Sequence, residues 1–218
     1  MKAWEEYGQA DGLHAGGVPN LAGITLQRHQ LIPKGGESRT LSNGGAPFLF
    51  RLVGSIAFSP NPIHWRVFVK WIRHANWRAF DVAVPGLVTT AWWKQLDRRT
   101  MWTQHFIFFC EKYNLFTLYI TAHRAKALAV HWRERGEHIR AAQGPDATLV
   151  TSSTDLVNVW PAASSLSWYG WGGEKLSTEG RPGCTMPRGC GGGLHPFDVD
   201  ARRVGRRGLG AANGTVSI

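Results

Sequence analysis

Three short stretches of the sequence bring histidine and arginine together, two of them with tryptophan: Gln27-Arg28-His29, His64-Trp65-Arg66 and His131-Trp132-Arg133-Glu134, the last followed by Glu137 and His138. A neutral imidazole can ligate a metal or move a proton. A guanidinium fits carboxylate and phosphate in two-point geometry. An indole offers a broad apolar face with one N–H donor. Any one of these side chains more often serves packing than chemistry, but three groups that each pair His with Arg point to an anionic ligand. Other chemistries are struck out by the motifs they need. The chain has no G-x-x-x-x-G-K-[ST] phosphate loop, no G-x-G-x-x-G after a strand, no H-E-x-x-H, no paired C-x-x-C and no nucleophile elbow. His131 and His138 stand seven residues apart, a spacing with no fixed metal geometry. Cys184 and Cys190 could pair, but they sit in a Gly-rich stretch without ligand spacing, whereas Cys110 lies in an apolar run and reads as a core thiol.

These groups have to be held by regular elements. Residues 1–10 read as a short helix closed by Gly8. Leu21 to Leu26 is an apolar strand that delivers Gln27, Arg28 and His29 at its end. Phe50 to Phe58 reads as one buried strand. Asn61 and Pro62 have the chemistry of a helix cap and first helical residue, so a helix is predicted from there to about Ala75. Its apolar face takes Phe68, Trp71 and Ile72 with His64 or Trp65, and its other face Arg66, Lys70 and Arg73. A second helix spans about 100–113, ended by Asn114, and Leu115 to Thr121 is a strand rich in β-formers. Ala127 to Trp132 reads as a short last strand, which makes His131 a packed core histidine.

The expected fold is therefore α/β: an incomplete open mixed sheet with flanking helices, and a disordered carboxyl-terminal tail. The division expected is a partial α/β domain over residues 1–150 and a Gly/Arg-rich tail over 151–218. Gly189–Gly193 and Arg202–Arg207 carry too few aliphatic side chains to offset about 1–2 kcal/mol of ordering entropy per residue. The chain has 218 residues and a net charge of +10. The surplus lies on the folded part: residues 1–140 carry 18 Lys/Arg against 9 Asp/Glu, and the remainder 7 against 6. A basic folded surface attracts polyanions, so nucleic acid is one candidate partner. No run approaches the ~18–20 apolar residues of a membrane span, and the start, Met1-Lys2-Ala3-Trp4-Glu5-Glu6, is not a signal peptide. It reads as the middle of a helix, hence as a chain that begins late; localisation is left open.

In order and spacing, four stretches of residues 1–140 resemble the carboxyl-terminal half of a GT-A-type nucleotide-sugar glycosyltransferase: Leu21-Ala22-Gly23-Ile24-Thr25-Leu26-Gln27-Arg28; Pro47 to Phe58 followed by His64-Trp65-Arg66-Val67-Phe68; Met101-Trp102-Thr103 with Leu115-Phe116-Thr117-Leu118-Tyr119; and Ala129 to His138. The resemblance implies a nucleotide-sugar donor, a glycan or protein acceptor and a divalent metal such as Mn²⁺ in the full-length family. It implies acceptor or substrate contacts from Trp65, Arg66, Trp102, Arg133 and Glu134. It makes Asp97 a candidate for the acceptor base and His138 a metal ligand once the donor half is supplied. The family's D-x-D motif has no counterpart in strand context: the one such spacing, Asp198-Val199-Asp200, lies in the tail. The base position before Trp102 reads Arg98-Arg99-Thr100-Met101, with Asp97 five residues back. Such a chain is expected to bind no cofactor and to be inactive by itself. The alternatives are a basic, Trp-rich module for polyanions such as nucleic acid, or a fragment with no independent function.

Overall fold

The structure is a computed structural model that describes residues 2–8, 17–27, 41, 43, 45–74, 102–120, 122–123, 126–135, 141–156 and 160–177. Its elements in chain order are α1 (Lys2–Tyr7), β1 (Leu21–Thr25), β2 (Phe48–Phe50), β3 (Phe58–Pro60), α2 (Pro62–His74), α3 (Trp102–Tyr113), β4 (Phe116–Tyr119), β5 (Trp132–Arg133), β6 (Gly144–Pro145) and β7 (Ser167–Tyr169). Five strands form an open mixed sheet in the order β3-β1-β4-β2-β7. β1 runs parallel to β4 and β2 parallel to β7, while β3 and β2 run antiparallel to β1 and β4. β5 and β6 pair separately as a two-stranded ribbon. The ribbon's approach is tied to the sheet by a bridge between Gln27 and Ala129.

The sheet is apolar because both of its faces are covered. On one side α2 and α3 pack Phe68, Trp71, Phe106, Phe109 and Cys110 against Ala22, Val53 and Leu115. On the other, α1 brings Ala3 and Tyr7 against Leu21, Ile24, Leu49, Phe116, Leu118, Leu166 and Trp168. Alternation sends Phe116 and Leu118 of β4 to the α1 side. β1 departs from that rule: Leu21 and Ile24, three residues apart, share a face, and the β1–β4 register shifts between Leu21 and Gly23. One extra residue in a strand turns the following side chains over.

Two of the strand expectations are corrected. Phe50 to Phe58 is not one strand. It is the end of β2, an irregular passage through 51–57, and the start of β3, with Ala57 in the left-handed region at φ 50°. An apolar run does not reveal such a break, because Leu52 and Val53 are packed in the core whether extended or not. The stretch from Ala127 forms isolated bridges before β5 begins at Trp132, and His131 is exposed rather than packed. Its backbone N–H donates to Asp146 Oδ1 at 2.9 Å.

The boundary at residue 150 does not divide the described fold. β7 is a full member of the sheet, pairing with β2, and Leu166, Trp168 and Tyr169 are buried. Tyr7 of α1 donates its hydroxyl proton to the Pro161 carbonyl at 2.8 Å, so the amino-terminal helix packs on this late segment. The remainder of the expected tail, from residue 178, lies outside the described residues.

Candidate functional site

The predicted residues Trp65, Arg66 and Trp102 are carried by the α2–α3 pair. Asn61 starts α2: its Oδ1 accepts from the backbone N–H of Ile63 at 3.0 Å and His64 at 3.4 Å, and its own N–H donates to Ala22 O in β1. The cap thus fixes both the start of the helix and its position on the sheet. One turn on, Trp65 meets Trp102 edge-to-face at 5.4 Å between ring centroids and Phe106 at 5.3 Å. Phe68 closes the group at 4.9 Å from Phe106. Trp65 is half-buried, while Trp102 stays 41% exposed at the start of α3. Arg66 is exposed on the next position around α2. The structure therefore brings Trp65 and Trp102 into contact at the surface, buttressed by Phe106 and Phe68, with Arg66 exposed on the following position of α2.

His64 does not belong to that surface. It is buried, and its Nδ1–H donates to the Leu21 carbonyl at 2.7 Å. Nδ1 must carry the proton, because a carbonyl only accepts. Nε2 is left with its lone pair in the core and no partner. Burial lowers the imidazole's pKa, the Leu21 bond opposing it in part, and the ring is held neutral. Gln27 is structural too: its Oε1 accepts from Ile56 N–H at 2.7 Å. Arg28 and His29 lie outside the described residues.

Arg133 and Glu134 stand on another support, the β5–β6 ribbon. The Arg133 guanidinium leans across the ladder to the carbonyls of Gly144 and Pro145 at 3.4 and 3.5 Å. Glu134 is exposed, and Trp132 is 60% exposed. Asp97 and His138, the candidate base and metal ligand, lie outside the described residues, as do Cys184, Cys190, Asp198 and Asp200. Among the described residues no three His, Cys, Asp or Glu side chains gather as a metal group. No described helix is long and apolar enough to cross a membrane.

Sequence reasoning missed one polar cluster. The Arg51 guanidinium lies over the Phe116 ring at 4.4 Å, donates to Asn114 Oδ1 at 3.1 Å and stands 3.5 Å from Glu111. Glu111 also accepts from Trp171 Nε1 at 2.8 Å. Burial lowers the Arg51 pKa, with Glu111 opposing the shift. The cluster ties the turn after β7 to the end of α3. Its one legible signal was Trp171-Gly172-Gly173, where Gly173 adopts φ 80°.

Compared with family models, curated proteins and solved structures, the chain matches none.

Proposed function

We propose that this chain is the acceptor-side part of a nucleotide-sugar-dependent glycosyltransferase-type domain, a glycan-binding rather than a complete catalytic unit. The observation that supports this reading is the Trp65–Trp102 pair: a partly exposed indole held by ring contacts, on the helix layer that covers one face of the sheet, with Arg66 exposed on the position of α2 that follows Trp65. A sugar ring presents a patch of C–H groups that packs on such an apolar plane, while its hydroxyls need polar neighbours. Trp102 supplies the plane and Arg66 donors. The aromatic contacts behind Trp102 hold its ring in place, so little conformational entropy is lost on binding. Transfer also demands neutralisation of a leaving diphosphate and a base for the acceptor hydroxyl, and neither role is filled by the described residues around this pair.

The test is direct. Titrating the chain with a panel of oligosaccharides while following tryptophan fluorescence is expected to show saturable binding without any nucleotide. Trp102→Ala should weaken that binding. The chain with Mn²⁺ and nucleotide sugars should yield no transfer. Chelator-sensitive transfer or donor hydrolysis by the chain alone would overturn the reading, as would failure to bind any glycan.

A further inference from the structure

The outer face of α2 carries a row of cations that is unpaired among the described residues. Arg66, Lys70 and Arg73 are all exposed, four and three residues apart, and α2 contains no Asp or Glu. At 1.5 Å rise per residue their α-carbons step about 6 and then about 4.5 Å along the axis, on one side of the helix. None of the three side chains joins an ion pair or hydrogen bond among the described residues. Helix stability explains part of this pattern at most. Arg73, with His74, sits in the last turn, where cations complement the helix dipole, and His74 Nδ1 caps the Lys70 carbonyl at 2.8 Å. Arg66 and Lys70 lie before that turn and gain nothing from it. Three like charges at helical spacing repel one another, a small standing cost that an anionic partner would remove.

The row begins at the residue after Trp65. Trp65 contacts the Trp102 ring, so the partly exposed indole packs on the helical turn that carries the first cation. We infer that this surface binds an acidic glycan, one whose rings carry carboxylates or sulfates: one ring on Trp102, and anionic groups of successive rings on Arg66, Lys70 and Arg73. The inference rests on the glycosyltransferase-type reading and names the acceptor class for it. Two other polyanions are less well served. Single-stranded nucleic acid uses an aromatic platform for each of several successive bases, and among the described residues this row has Trp102 alone. An anionic membrane surface needs an apolar helix face to insert, and that face of α2, with His64, Phe68 and Trp71, is buried against the core.

The experiment titrates the whole chain at low salt with four probes: an oligogalacturonate, a neutral glucan oligosaccharide of equal ring number, a single-stranded oligodeoxynucleotide, and vesicles containing phosphatidylserine. The oligogalacturonate is expected to bind at least about tenfold more tightly than the neutral glucan, the gain of one or two charge-assisted contacts, and to weaken as salt is added. Arg66→Gln, Lys70→Gln and Arg73→Gln combined should abolish that preference while keeping the melting temperature, since all three side chains are exposed. Trp102→Ala should weaken both glycans, and Trp102→Phe should restore them in part, which separates loss of a stacking plane from loss of fold. Equal binding of both glycans, unchanged in the triple Gln variant, would overturn the acidic-glycan assignment and leave the broader reading intact. Binding of neither glycan would overturn both. Tighter binding of the oligonucleotide or the vesicles, lost in the triple variant, would assign the row to that partner and overturn the inference.

Discussion

His64 shows how one side chain carries a measurable consequence. Its folded pKa lies below its ordinary value of 6.5, because the buried ring cannot take up a charge without losing hydration. The unfolded chain therefore binds more protons than the folded one between the folded pKa and about 6.5. Stability is complete above that range and falls as the pH drops through it, by up to about 1.4 kcal/mol per pH unit for a single proton. Urea melts from pH 7.5 to 5.5 should show this decline, and His64→Gln should flatten it. Asp155 acts in a lower window. Its hydrogen bond to Lys126, 2.7 Å away, holds its pKa below the ordinary 3.8. Its contribution is present above pH 3.8 and is lost as the pH falls through the lowered value, so it does not overlap the His64 effect. At Asn114 two roles coincide: the residue takes φ 54° to end α3, and its side chain accepts from Arg51. Asn114→Gly keeps the turn and loses the bond, whereas Asn114→Ala loses both. The alanine variant should melt lower than the glycine variant, with a gap of about 1 kcal/mol.

At the scale of elements, α2 depends on its cap. Asn61→Ala should cost about 1 kcal/mol in denaturant melts and Asn61→Asp much less, because aspartate can accept from the same two N–H groups. β1 depends on a missing side chain. A Cβ on Gly23 would lie 2.5 Å from the Phe58 ring and 2.6 Å from the Ser59 carbonyl, so Gly23→Ala must push β3 away from β1. A loss of about 1–3 kcal/mol is expected from such overpacking. Phe58→Leu in the same chain should recover part of it, the Ser59 contact remaining. A melt in which Gly23→Ala equals the wild type would refute this account of the β1–β3 contact.

For the whole molecule, the decisive fact is that the sheet closes late in the sequence. β7 covers the outer side of β2, and Tyr7 and Trp160 meet across the chain, their rings 6.1 Å apart. A chain ended at residue 150 would expose Phe48, Phe50 and Leu49 and lose the buried side chains of Leu166, Trp168 and Tyr169. Each such aromatic or aliphatic side chain is worth about 1.5–3 kcal/mol of burial, and together they compare with the whole margin of a domain. The expected outcome is that truncation at 150 gives no cooperative melt, while truncation after Ser177 does. Limited proteolysis should likewise leave a resistant fragment that includes β7.

The sequence by itself determined what rests on local chemistry. The cap at Asn61, the apolar stripe of α2, the end of α3 at Asn114 and the β-rich run into Tyr119 are each written in a few neighbouring residues, and each stands where it was read. The α/β class followed from the alternation of those periods, and the cationic face of α2 was legible at the same spacing. Only the tertiary structure decided the rest. Whether Phe50 to Phe58 is one strand or two depends on what lies against it, because burial on both faces erases alternation. His64 and His131 have similar neighbours in sequence, yet one is buried on the face of α2 that meets β1 and the other is exposed, since distant segments set their exposure. β7 falls within the stretch read as a Gly/Arg-rich tail, yet it belongs to the core. It does so because β2 offers an open hydrogen-bonding edge and α1 an apolar seat, both supplied by residues more than a hundred positions away.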